Sequence, residues 1–100
     1  MIIIYTTFPK LSEAQKISEL LIKNKLAACA NIFPIGSVYK WDGKIVKEKE
    51  FGVFIKTKKN NFKKVEQFIL KHHSYKTPCI IQIPVQKITP KYKNWLGGNC

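Results

Sequence analysis

VYKWDGKIVKEKEFGVFIKT, residues 38–57, decides the fold of this chain. Asp42-Gly43 sits between alternating flanks, and a type I′ turn needs positive φ at both central positions, which Asp and Gly tolerate. The return arm, Lys44 to Thr57, places Phe51, Val53 and Ile55 on one face by its two-residue period, while its first half is charged and polar. Each arm is about a dozen residues, about 40 Å at ~3.3 Å per residue. A 100-residue domain has a radius of gyration of about 13 Å, so the tip must overhang the body. An overhanging ribbon with Tyr39 and Trp41 near its tip calls for another chain to pair with or pack on, and a homo-oligomer is expected.

Working outward, Ile2–Thr7 reads as a β-branched and aromatic strand ending at Phe8-Pro9. Ser12 with Gln15 three residues on reads as a capping box, and Ala14, Ile17, Leu20 and Leu21 form a helical stripe that closes at Asn24-Lys25. Cys29 to Tyr39 is the next strand, where Pro34 and Gly36 suggest a bulge or an edge position. Beyond the hairpin, Asn60 or Asn61 caps a second helix with Phe62, Val65, Phe68 and Ile69 buried, and His72 and His73 occupy its last turn. Pro78 introduces a last strand, Cys79 to about Gln86. Pro90 can open a short terminal helix with Tyr92, Trp95 and Leu96 on its apolar side. The order β-α-β-β-α-β predicts one domain, 1–100, of the α+β class: a ferredoxin-like split β-α-β antiparallel sheet with two helices on one face, a long central hairpin and a short C-terminal helix.

Composition narrows the function. Apolar residues make up 45% and aromatic ones 12%, enough for a core. The N-terminal MIIIYTT lacks a basic leader and a cleavage site, and no apolar run approaches the ~20 residues of a membrane span. Three cysteines, widely spaced and without a C-x-x-C pair, indicate reduced thiols and a cytoplasmic setting. The net charge is +12, yet all eighteen basic residues are lysine. Arginine is the preferred bidentate reader of guanine and phosphate, and the lysines are spread over every segment, so nucleic acid is not the expected partner.

LAACANIFPIGSVYKWDGKI, EFGVFIKT, HHSYKTP and YKNWL, in this order and at these intervals, resemble the CutA divalent-cation tolerance proteins over essentially the whole chain. The resemblance implies a cytoplasmic homotrimer of ferredoxin-like subunits joined by extended hairpins and involved in the response to copper and other divalent metal ions. The family's recurring positions match at Cys29, Trp41, Gly43, Glu50, Lys56 and Tyr75, and the two histidines associated with copper in some members fall on His72 and His73. The chain departs from the family where a first-strand cysteine of some copper-binding members aligns with Tyr5, where H-P-Y becomes His73-Ser74-Tyr75, and where Cys79 replaces a glutamate after Pro78.

These positions make candidate sites. Imidazole suits Cu(II), Zn(II) and Ni(II), so His72 and His73 are candidate ligands; partly protonated histidines also favour a helix C-terminus, and helical neighbours point about 100° apart. Cys79 could join them across the Pro78 turn, and Cys29 is either a soft ligand or a buried small hydrophobe. Trp41, with Tyr39, reads as an interface anchor. Glu50 and Lys56 share one strand face but lie about 20 Å apart and cannot pair with each other; each either meets a group of another subunit, lining a polar cleft, or forms a structural salt bridge. Tyr75 and Trp95 complete the pocket and interface candidates.

Competing functions have weaker support. There is no G-x-S-x-G elbow, H-E-x-x-H pair or Gly-rich phosphate loop, and an acylphosphatase-like mechanism lacks its arginine, so no enzyme is expected. An RNA-binding module of this fold would carry stacking aromatics on one strand face, whereas Phe51 and Phe54 point to opposite faces. A trimeric scaffold resembling the PII proteins, binding a small effector between subunits, is the alternative to a divalent-metal-binding homotrimer.

Overall fold

Asp42 and Gly43 adopt φ of 49° and 75°, the left-handed pair that a two-residue hairpin needs. In the computed structural model, which describes residues 1–100, the turn joins β2 (Cys29–Trp41) to β3 (Lys44–Thr57). Before them come β1 (Ile2–Phe8) and α1 (Leu11–Lys23); after them α2 (Phe62–His72), β4 (Ile80–Pro84) and α3 (Pro90–Gly97). The antiparallel sheet has the order β2-β3-β1-β4. This is the β-α-β-β-α-β order with a terminal helix. No helix is long and apolar enough to cross a membrane.

Alternation divides the sheet into two faces. Ile2, Ile4 and Phe8 of β1 and Val53 and Ile55 of β3 turn toward the helices and pack with Ala14, Ile17, Leu21, Val65 and Ile69 in one core. Each fully buried aliphatic side chain there contributes roughly 1.5–3 kcal/mol. The opposite face carries Tyr5, Phe33 and Phe54, whose rings meet at centroid distances of 5.0–6.5 Å. Gly52 lies under this cluster because a Cβ there would stand 2.8 Å from Cε2 of Phe33.

The hairpin overhangs as its length requires. The molecule measures 46 × 25 × 21 Å, and Val38, Trp41 and Ile45 near the tip are 68%, 60% and 66% exposed.

Four local expectations need correction. Ser12 does not cap α1: the helix starts at Leu11 with Lys10 extended at its N-cap and no side-chain cap. Leu11 and Ser12 are exposed, so water serves the first N–H groups and Glu13 is left to bond elsewhere. Asn61 precedes α2 but does not cap it. A 3₁₀ turn at Lys59–Asn61 leads into the helix, and Asn61 Nδ2 donates to Thr57 Oγ1 at 3.0 Å while Thr57 donates to the Leu26 carbonyl at 2.7 Å. Pro34 and Gly36 cause no bulge. The register runs unbroken from Cys29↔Lys56 to Trp41↔Lys44, because β2 is an edge strand with one side unpaired. β2 also runs on to Trp41, and β4 is shorter than expected, ending at Pro84, which has no N–H for the ladder.

Candidate functional site

α2 ends at His72, and His73 stands at its C-cap with extended backbone, φ −72° and ψ 140°. That break turns the two imidazoles apart. The His73 side chain is 0% exposed and stacks on Phe8 at a centroid distance of 4.4 Å. Its Nε2 lies 2.7 Å from the Thr7 carbonyl oxygen, and its Nδ1 lies 2.9 Å from the Tyr75 amide nitrogen. A carbonyl only accepts and an amide N–H only donates, so the bonding pattern assigns the proton to Nε2 and occupies the Nδ1 lone pair.

His72 is the reverse. It is exposed and stacked on Phe68 at 4.2 Å, with Nδ1 2.9 Å from the Phe68 carbonyl oxygen. Nδ1 therefore carries the proton, and the Nε2 lone pair meets no hydrogen-bond partner within the chain. An imidazole that donates one N–H to a backbone carbonyl and keeps the other nitrogen open is the arrangement a metal ligand needs.

The loop after α2 is held by Glu13 of α1. Its carboxylate accepts from the Ser74 amide at 2.8 Å and from the Ser74 hydroxyl at 2.7 Å. This places Tyr75 over the open sheet face, where its hydroxyl donates to Glu50 Oε2 at 2.6 Å. Tyr39 makes the matching bond from β2, donating to Glu48 Oε1 at 2.5 Å. Glu48 and Glu50 share one face because they are two apart on a strand.

Around them lies an open cavity of about 400 Å³ lined by Thr7, Tyr39, Trp41, Glu48, Glu50 and Tyr75, with Lys76, Thr77 and Cys79 on its rim. The carboxylates set its electrostatics. The bond to Glu48 pushes the Tyr39 hydroxyl up to about 12. Burial, then the bond to Glu50, raises Tyr75 further. Burial, then the charge of Glu50, raises the Cys79 thiol. Tyr5 is raised by burial, with Cys79 and Glu50 adding to it. The space stabilises positive charge and holds neighbouring acids neutral.

With this geometry in place, known proteins can be compared. The family model described as CutA1 divalent ion tolerance protein matches residues 2–99. The chain belongs to the CutA divalent-cation tolerance family. The divalent-cation tolerance protein CutA of Archaeoglobus fulgidus is 43% identical over 93 residues, covering 93% of this chain and 91% of that protein. The crystal structure of CutA1 from Pyrococcus horikoshii aligns with a TM-score of 0.96 at 37% identity, over 99% of this chain and 97% of that one. The Cut A1 protein of Thermus thermophilus aligns at 0.93 and 32% identity, over 99% and 98%.

In this CutA-family chain the structure gathers Tyr39, Trp41, Glu50, Tyr75 and Cys79 in one cavity. It does not gather the expected metal donors into one set, since no three His, Cys, Asp or Glu side chains group together as a metal cluster. Cys29 pairs with Lys56, which pairs with Ile3, four residues of β1 (~13 Å) from the Thr7 that His73 meets. Its Sγ contacts Asn31 Oδ1 at 3.8 Å. Lys56 and Trp95 belong to a separate seam at α3: the Lys56 ammonium lies 5.5 Å from the Tyr92 ring, and Tyr92 packs 5.5 Å from Trp95. Sequence reading missed Glu48, Glu13 and Thr7. Glu48 carried a signal, its two-residue offset from Glu50; Glu13 meets Ser74 only through the tertiary packing.

Proposed function

We propose that this chain acts as a cytoplasmic homotrimer of the divalent-cation tolerance type, that it is not an enzyme, and that it binds copper or another divalent cation weakly through His72. The observation that carries the binding half is the unpartnered Nε2 of the exposed His72 ring, whose Nδ1 bonds the Phe68 carbonyl. One imidazole in a protomer is a weak site, since a stable copper or zinc site takes several nitrogen or sulfur donors. Further donors then come from solvent or a second protomer, with the Cys79 and Cys29 thiols as the soft candidates. His73 takes no part, because a metal on either nitrogen would displace the Thr7 or the Tyr75 bond. The exposed ribbon around Val38 and Ile45 supports association, since a bare apolar edge of this length is a template for pairing.

Two measurements test this reading. Light scattering should give a mass three times the 11.6 kDa of the chain; a monomer overturns the assembly. Calorimetric titration of reduced, metal-free protein with copper(II) should give a saturable isotherm that His72→Ala abolishes and His73→Ala retains. An isotherm insensitive to His72→Ala overturns the site.

A further inference from the structure

Six acidic residues stand against eighteen lysines in this chain, yet two of the six line a single cavity. Neither forms an ion pair. The lysine–carboxylate pairs are Lys23–Glu19 and Lys63–Glu66, and the neutral His73 ring only lies 3.8 Å from Glu13, so no lysine of the same chain pairs with Glu48 or Glu50 even though Lys76 reaches the cavity wall. Glu50 is only 6% exposed. Its Oε2 accepts from Tyr75, while its Oε1 accepts nothing and is not among the sealed, unpartnered oxygens of the fold. That oxygen therefore opens toward the cavity its residue lines. A buried carboxylate with an unused acceptor is costly unless something cationic meets it.

The walls specify what kind of cation. Tyr39 and Tyr75 turn their hydroxyls onto the carboxylates and leave ring surface to the space, and Trp41 adds a third aromatic. Aromatic faces attract ammonium groups and also shelter an aliphatic chain. The volume of about 400 Å³ falls in the range of small-molecule sites, roughly 300–1,000 Å³. A bare metal ion would fill little of it, and the tyrosine bonds already use part of the carboxylate lone pairs a metal would need.

We propose that this cavity binds a small organic cation, a primary ammonium on a short aliphatic chain, with Glu50 and Glu48 as its anionic floor and Trp41, Tyr39 and Tyr75 as its walls. The ammonium donates to Glu50 Oε1 and to the free oxygen of Glu48, and the chain lies along the rings. This site is separate from His72 and does not depend on metal binding.

The test uses Trp41 as the reporter in the full chain carrying Trp95→Phe, since the protein has only two tryptophans. Butylammonium chloride is titrated at constant ionic strength against sodium chloride, with 1-butanol as the neutral isostere. The expected result is a saturable fluorescence change for butylammonium alone, weakened about tenfold or more by Glu50→Gln and by Glu48→Gln, as loss of a charge-assisted bond requires. Lys76→Ala should leave it unchanged or tighter. Glu48→Gln, at a half-buried position, keeps the test valid if Glu50→Gln misfolds. A linear response, equal saturation by 1-butanol, insensitivity to Glu48→Gln, or tighter saturation by zinc or magnesium would each overturn the proposal. His72→Ala should abolish copper binding and spare butylammonium binding, so the two readings fail separately.

Discussion

Replacing His73 with alanine should destabilise the fold, whereas replacing its neighbour His72 should hardly do so. The His73 ring is fully covered, and its removal strands the Thr7 carbonyl that Nε2 meets at 2.7 Å. A buried polar group left without a partner costs about 1–3 kcal/mol. Loss of the stacking on Phe8, at a centroid distance of 4.4 Å, adds about 0.5–1.5 kcal/mol. The sum, about 1.5–4.5 kcal/mol, divided by a mid-range urea m-value of about 2 kcal/mol per molar, moves the midpoint down by about 1–2 M. His72 loses only an exposed bond to Phe68 and a stacking contact at the surface, so His72→Ala should cost less than about 1 kcal/mol. Urea unfolding followed by circular dichroism, at one fixed protein concentration because the proposed association would shift the midpoint, measures both. A His73→Ala midpoint within error of the parent refutes the structural role, and loss of copper binding in His73→Ala but not in His72→Ala refutes the tautomer argument.

Three smaller predictions accompany it. Near-ultraviolet titration should show Tyr39 ionising near 12 and Tyr5 and Tyr75 also delayed, with Glu48→Gln bringing Tyr39 down. Because these folded-state values are raised, their contribution to stability is full below the unfolded phenol value of about 10 and is lost as pH rises through the folded values; alkaline unfolding that sets in below pH 10 would contradict it. Thr6→Val should stabilise by about 1 kcal/mol, because the Thr6 hydroxyl is buried without a partner and its desolvation is uncompensated; a lower melting temperature would contradict it. Gly52→Ala should cost about 1–3 kcal/mol through overpacking, since its Cβ would meet Phe33 at 2.8 Å and Tyr5 at 3.2 Å; a neutral result would mean that the Phe33 ring swings aside.

The hairpin was legible because its requirement is local: two residues at positive φ between alternating arms admit few other readings. Its overhang followed from arithmetic, strand rise against domain radius. Helix starts were less legible. Ser12 and Gln15 have the chemistry of a capping box, but the start of α1 lies at Leu11 and its first N–H groups face water. Asn61 has a cap's side chain, yet the Thr57 hydroxyl, tied to Leu26, offers it a better partner. At Asn61 a partner held in place by a contact distant in sequence displaced the local preference; at Ser12 the one-residue earlier start of the helix did.

The same competition shaped the candidate site. Glu48 lies in the run KEKE, where charge reads as solvation, and only its parity with Glu50 places it on the cavity face. The two histidines are chemically identical as neighbours in a string. They differ because the helix ends between them, so that one ring falls onto Phe8 and the other stays outside on Phe68. From that backbone break follow opposite proton positions, and from the proton positions follow opposite capacities for a metal. Two candidate ligands adjacent in sequence are therefore one fastener and one open donor. The cation-stabilising carboxylates lie elsewhere, on the far face of the sheet, where the tyrosine that His73 positions, Tyr75, reaches across to Glu50.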